Sequence, residues 1–186
     1  MEYNDVRRHD IVSDTWRDGD WLHILEASAS VLADPDSMHG IRHVAAENTF
    51  LGYDLSEDEW RAFSRLPAWR EIESLLLRYQ YPNNRERFDI FLQSPMLEGI
   101  RRLDLSHSHI DRLLPTLATA TQLEQLRELG LMGQDQVELE QLRALLEAPH
   151  IEKLEMLRLA SSDLPDGALE LLRDFHDRTG CAVDVL

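Results

Sequence analysis

The stretch Ile100-Arg101-Arg102-Leu103-Asp104-Leu105-Ser106-His107-Ser108-His109-Ile110 decides the fold class, because its apolar residues stand at positions 1, 4, 6 and 11 with a small polar residue at 9. On an extended chain positions 4 and 6 face the same way, so this spacing places Leu103 and Leu105 together in a core. The spacing recurs at Leu154, Leu157, Leu159, Ser162 and Leu164, and at Leu126, Leu129, Leu131 and Gln134, with Val137 one place late. Upstream the same template accepts Ile72, Leu75, Leu77 and Gln80, then Ile41, Val44, Ala46, Thr49 and Leu51; downstream Val183 and Val185 fill positions 4 and 6 of a last copy. The starts at 41, 72, 100, 126, 154 and about 180 are 31, 28, 26, 28 and 26 residues apart, the period of a strand-plus-helix repeat.

The approach to each strand repeats as well. Pro67-Ala68-Trp69, Pro95-Met96-Leu97 and Pro149-His150-Ile151 each put an apolar residue three places before the strand, and Leu123 and Met38 keep that position without the proline. Between strands the apolar residues take helical spacing: Trp60, Phe63 and Leu66 after a Ser56-to-Glu59 capping box, then Phe88, Phe91 and Leu92, then Leu113, Leu114 and Leu117, then Leu142, Leu145 and Leu146, then Ala168, Leu171, Leu172 and Phe175. Pro67, Pro95 and Pro149 are expected to stop three of these helices. One strand and one helix cannot bury both apolar faces alone, whereas stacked copies form a continuous core whose ends need caps. The segment from Trp16 to Ala33, with Trp21, Leu22, Ile24, Leu25 and Leu32, is expected to be an amphipathic capping helix. The organisation expected is therefore α/β: an N-terminal helical cap over 1–40, then a repeat array over 41–186 ending in a strand near 181–186.

At these residues the chain resembles the leucine-rich-repeat family, in its ribonuclease-inhibitor-like class of roughly 28-residue strand-helix units. The resemblance implies a short solenoid with parallel strands on a concave face and helices on the convex one. It also implies recognition of a protein partner by the strand face, and it transfers no catalytic residue. Position 9, where the family favours Asn or Cys, holds Thr49, Gln80, Ser108, Gln134 and Ser162, which is expected to weaken the side-chain ladder of the turns. An ordinary α/β domain with a parallel sheet is the other fold that strand-helix alternation allows, and the fixed period argues against it.

Composition narrows the function. Thirty-five acidic against 19 basic residues give a formal charge of −16, a field that repels phosphate backbones and anionic lipid, so neither nucleic acid nor membrane is expected as a partner. No stretch of about 18 apolar residues runs together and the first residues lack a signal-like apolar core, so a cytoplasmic location is expected. The single cysteine, Cys181, excludes an internal disulfide framework.

Side chains at positions 3, 5, 7 and 8 should project from the strand wall away from the core. Among them Leu76, Arg78, Tyr79, Arg102, Asp104, His107, Met132, Met156 and Arg158 combine apolar, aromatic and arginine character of the kind enriched in the centres of protein interfaces, and these are the candidate partner-binding residues. No cofactor, metal site or catalytic set is expected. Ser106-His107-Ser108-His109 falls in a turn without an assured third ligand, and Asp104, Ser106 and His107 do not have the spacing of a nucleophilic triad. Cys181 has no adjacent base and is expected to be a small filler of the last core layer. The expected function is non-catalytic protein binding. One variant is an inhibitor or immunity protein that occludes a basic toxin or nuclease; the alternative is a structural adaptor that self-associates through the edge of the last strand.

Overall fold

A computed structural model of the protein describes residues 15–24, 38–47, 56, 58, 61, 64–79, 85–108, 114–134 and 137–186. Among these residues eight strands form one open sheet in sequence order: β1 (Thr15–Asp18), β2 (Trp21–Ile24), β3 (His43–Glu47), β4 (Ser74–Arg78), β5 (Arg102–Asp104), β6 (Glu128–Gly130), β7 (Met156–Leu159) and β8 (Ala182–Val185). β1 and β2 are antiparallel, and every later pair is parallel. Among the described residues four helices are defined: α1 (Arg85–Leu92), α2 (Leu114–Ala118), α3 (Leu139–Leu146) and α4 (Ala168–Thr179). The architecture is α/β.

The register of the sheet is the register of the sequence pattern. Val44, Leu75, Leu103, Leu129, Leu157 and Val183, all at position 4, are successive pairing partners. Positions 1, 4 and 6 from Ile41 to Leu159 are all at most 3% exposed. The carbonyl at position 2 of each unit accepts two N–H groups of the next: Arg42 O from Glu73 and Ser74, Glu73 O from Arg101 and Arg102, Arg101 O from Arg127 and Glu128, and Arg127 O from Glu155 and Met156, at 2.7–3.2 Å. The backbone repeats as strictly as the side chains do.

The second register has its own cause. Met38, Trp69, Leu97, Leu123 and Ile151 are buried, and the carbonyl of each accepts the N–H at position 1 of the strand that follows, at 3.0–3.1 Å. The last four of these residues lie in one-turn 3-10 helices, at Pro67–Glu71, Pro95–Leu97, Thr121–Leu123 and Ile151–Lys153. Pro67 and Pro95 open two of these turns, where a residue without an N–H costs nothing. They therefore start the approach to a strand, in addition to limiting the helix before it.

α1 buries Phe88, Phe91 and Leu92, α2 Leu114 and Leu117, α3 Leu142, Leu145 and Leu146, and α4 Ala168, Leu172 and Phe175, with Leu171 partly buried. Each is part of one core with the strand residues, and each fully buried leucine contributes about 1.5–3 kcal/mol relative to exposure. The Ser56 capping box, Trp60, Phe63, Leu113 and position 9 of the first two copies, Thr49 and Gln80, lie wholly or in part outside the described residues.

The expected capping helix is corrected over Thr15–Ile24. This segment is a hairpin that adds two strands to the sheet. Leu22 and Ile24, two apart, are buried and continue the rows of positions 4 and 6, while Trp21 and His23, which alternate with them, are half-buried, a period of two rather than 3.6. The reversal is a two-residue loop with Gly19 at φ 61, a geometry that favours glycine and suits the twist of a hairpin. Residues 25–33 of the expected helix lie outside the described residues.

Candidate functional site

With positions 4 and 6 turned into the core, positions 3 and 5 line the opposite face. Register sets His43, Ser74, Arg102, Glu128, Met156 and Ala182 in one row and Ala45, Leu76, Asp104, Gly130, Arg158 and Asp184 in the next. Most of these side chains are half-buried by their row neighbours, but Ser74 and Asp104 are buried.

The arginines of the candidate set are each paired with a carboxylate of the same face. Arg78 Nε and Nη2 donate to Asp104 Oδ2 at 3.0 and 2.7 Å, and Asp104 Oδ1 accepts the Ser106 N–H at 3.0 Å. Burial pushes the Asp104 carboxyl up, but hydrogen bonds from Ser106 and Arg78 outweigh it and hold the group below its ordinary value. Glu128 Oε2 lies between two guanidiniums, accepting from Arg158 Nη1 at 3.2 Å with Arg102 Nε 3.6 Å away. Asp104 is thus a buried anchor that orients Arg78, which corrects its expected place among the projecting residues.

The strands end in a second repeated feature. Tyr79, His107 and Gly133 occupy position 8 in three consecutive units, and all three adopt left-handed backbone, with φ 57, 56 and 67. For residues with a Cβ this conformation costs about 1–2 kcal/mol, so its presence at Tyr79 and His107 marks turns over-determined by their surroundings. The rings of Tyr79 and His107 stack at 5.1 Å between centroids, 11° from parallel, and both residues are exposed. On the far side of His107 a Cβ at Gly133 would lie 2.0 Å from Nδ1, and a Cβ at Gly130 would lie 2.8 Å from Asp104 Oδ1. Glycine at these two places lets Asp104 and His107 lean over the next unit. Two glycines at positions 5 and 8 of one copy were the available signal for this packing.

Below the stack two rungs of a side-chain ladder form. Ser108 Oγ donates to Leu77 O at 3.1 Å and Gln134 Nε2 to Leu105 O at 2.9 Å, each reaching the position-6 carbonyl of the preceding unit. Serine and glutamine both carry a donor that reaches a buried carbonyl, which is what the position requires. The ladder fails at Ser162, which is exposed; there Asp163 Oδ2 accepts the Gln134 N–H at 2.8 Å.

Of the remaining candidates, Leu76, Met132 and Met156 are half-buried on or beside the strand face. Ser106 Oγ accepts the Met132 N–H at 3.2 Å, so Asp104, Ser106 and His107 are each engaged in holding turns. Among the described residues no three His, Cys, Asp or Glu side chains converge on a point that could hold a metal ion; His109 lies outside them. Cys181 is buried, and burial pushes its thiol up to about 11. Among the described residues no helix is long and apolar enough to cross a membrane.

The sequence matches no protein-family model, and no curated protein matches it.

Proposed function

We propose that this chain is a leucine-rich-repeat-type solenoid whose strand face binds a partner protein without catalysis. The observation that carries this reading is the strand face from β4 to β7, where Leu76, Met132 and Met156 stay half-exposed beside arginines already oriented by carboxylates of the same face. A surface of apolar and arginine side chains held in fixed geometry loses little side-chain entropy on association, and such residues dominate interface energetics. Tyr79 and His107 extend it at the ends of the strands.

The charge of this face bears on the partner. From β4 to β7 it carries Arg78, Arg102 and Arg158 against Asp104 and Glu128, although the chain as a whole is strongly acidic. Support for a basic toxin or nuclease as the target therefore comes from the net charge of the chain, not from the strand face. The alternative, self-association through the outer edge, is supported by β8, which among the described residues pairs with β7 alone and is followed by Leu186, 67% exposed.

The test is affinity capture from cells of the native source, followed by direct titration of the purified partner. Leu76→Glu and Met156→Glu should weaken binding at least about tenfold, the scale of a lost interface anchor. Leu169→Glu, on the exposed side of α4, should not. Equal affinity of all three variants would overturn the strand-face assignment.

A further inference from the structure

At the opposite ends of the strands from Tyr79 and His107 lies an open cleft of about 570 Å³, lined by Gly40, Arg42, Arg70, Glu71, Glu73, Gly99, Arg101 and Gln125. We propose that this cleft is an oxyanion site that takes a carboxylate or phosphate group between Arg70 and Arg101.

The repeat itself builds the cleft. Arg42, Glu73 and Arg101 are position 2 of successive units, the residues whose carbonyls step along the sheet, so their side chains follow one another across its rim. Arg70 is brought in by the 3-10 turn ahead of β4. Gly99 keeps that rim close: a Cβ there would press to 3.2 Å from Arg70 O and 3.3 Å from Ile72 O.

The charges are unevenly satisfied. Arg42 is hydrogen-bonded to Glu73, and that bond, reinforced by the fields of Arg42 and Arg101, holds the Glu73 carboxyl below its usual value against burial. Glu73 thus serves Arg42 directly and Arg101 only through its field. Among the described residues, neither Arg70 nor the Arg101 side chain has a hydrogen bond or ion pair. In a chain with 35 acidic and 19 basic residues, two guanidiniums without a bound carboxylate border this one cleft. A guanidinium stays charged at every physiological pH and offers a planar fork of donors that fits two oxygens of a carboxylate or phosphate. Glu71 is the one lining carboxylate not bound to an arginine, and it competes with an incoming anion. Nothing in this site depends on the strand face, so it can fail or stand independently of the protein-binding proposal.

The experiment is a titration of the isotope-labelled full chain with succinate and, separately, inorganic phosphate at fixed ionic strength, followed by backbone amide shifts. Saturable shifts are expected at Gly40 and Gly99. Arg70→Gln and Arg101→Gln should each weaken binding roughly tenfold, as expected for loss of a charged hydrogen bond, whereas Glu71→Gln should tighten it and Arg173→Gln, on exposed α4, should leave it unchanged. The spectra report directly whether each variant is folded. Tighter phosphate binding would identify a phosphorylated group as the source of the oxyanion, and tighter succinate binding an acidic side chain or chain end. No saturable shift with either anion, or the same affinity in an Arg70→Gln, Arg101→Gln double variant, would overturn the proposal.

Discussion

Gly133→Ala tests the packing of the turn stack most directly. Two costs follow from the geometry. Gly133 sits at φ 67, and placing a Cβ in that left-handed conformation costs about 1 kcal/mol. The same Cβ would meet His107 Nδ1 at 2.0 Å, so the imidazole must leave its place against Tyr79. Losing an aromatic pair of this kind costs about 0.5–1.5 kcal/mol. Together Gly133→Ala should destabilise the fold by about 2 kcal/mol. In a His107→Ala background the steric part disappears and only the backbone part, about 1 kcal/mol, should remain. A double-mutant cycle on urea unfolding at 25 °C measures the difference, provided the denaturant slope is shared by all four proteins. If Gly133→Ala costs the same with and without His107, the ring is not held between Tyr79 and Gly133, and the stack plays no part in fixing the turns.

Two pH-dependent predictions follow from buried titratable groups. Asp104 is held below its ordinary value in the folded state, so its contribution to stability is present above the unfolded value near 3.8 and is lost as pH falls through the lower folded one; Asp104→Asn should flatten the fall of the urea midpoint below about pH 4. His150 is buried at the loop after α3, with Nε2 3.1 Å from Leu117 O, and burial lowers its pKa from 6.5. Above that value the ring is neutral in both states; below it the unfolded chain binds a proton that the folded chain refuses, so stability falls with pH. His150→Gln, which keeps a donor for Leu117, should remove that slope just below pH 6.5, and an unchanged slope would show that the ring titrates normally.

The core was legible because burial and period impose one demand at the same place in every unit. Positions 1, 4 and 6 must be apolar whatever else a unit does, so Ile100, Leu103 and Leu105 announce both their own strand and its partners. The residue three places before the strand was equally legible, since Trp69, Leu97 and Ile151 plug the core from each 3-10 turn. The hairpin at Thr15–Ile24 was not, because Trp21, Leu22, Ile24 and Leu25 satisfy helical spacing as well as strand alternation. Only the turn at Asp18-Gly19-Asp20 discriminates between them, and its weight depends on recognising Leu22 and Ile24 as positions 4 and 6 of a unit shortened to 22 residues by its register with Val44.

The strand face was legible as a set of residues but not as a set of interactions, and the reason lies in how repeats neighbour one another. A residue at position 3 or 5 meets the residue at the same position one unit on, about 26–31 residues away in sequence, so its partner is fixed by register rather than by local pattern. Arg102 and Glu128 are such neighbours, while Arg78 at position 7 reaches back to position 5 of the next unit and finds Asp104. These internal pairs change what the arginines can do in the proposed interface. A guanidinium already bound to a carboxylate has less to gain from a partner's charge, so Arg78 and Arg158 would contribute fixed orientation and stacking area while Leu76, Met132 and Met156 supply the apolar contact. On that reasoning a charge reversal at Asp104 or Glu128 should disturb binding as much as one at the arginines themselves, because it releases the side chains whose geometry the face depends on.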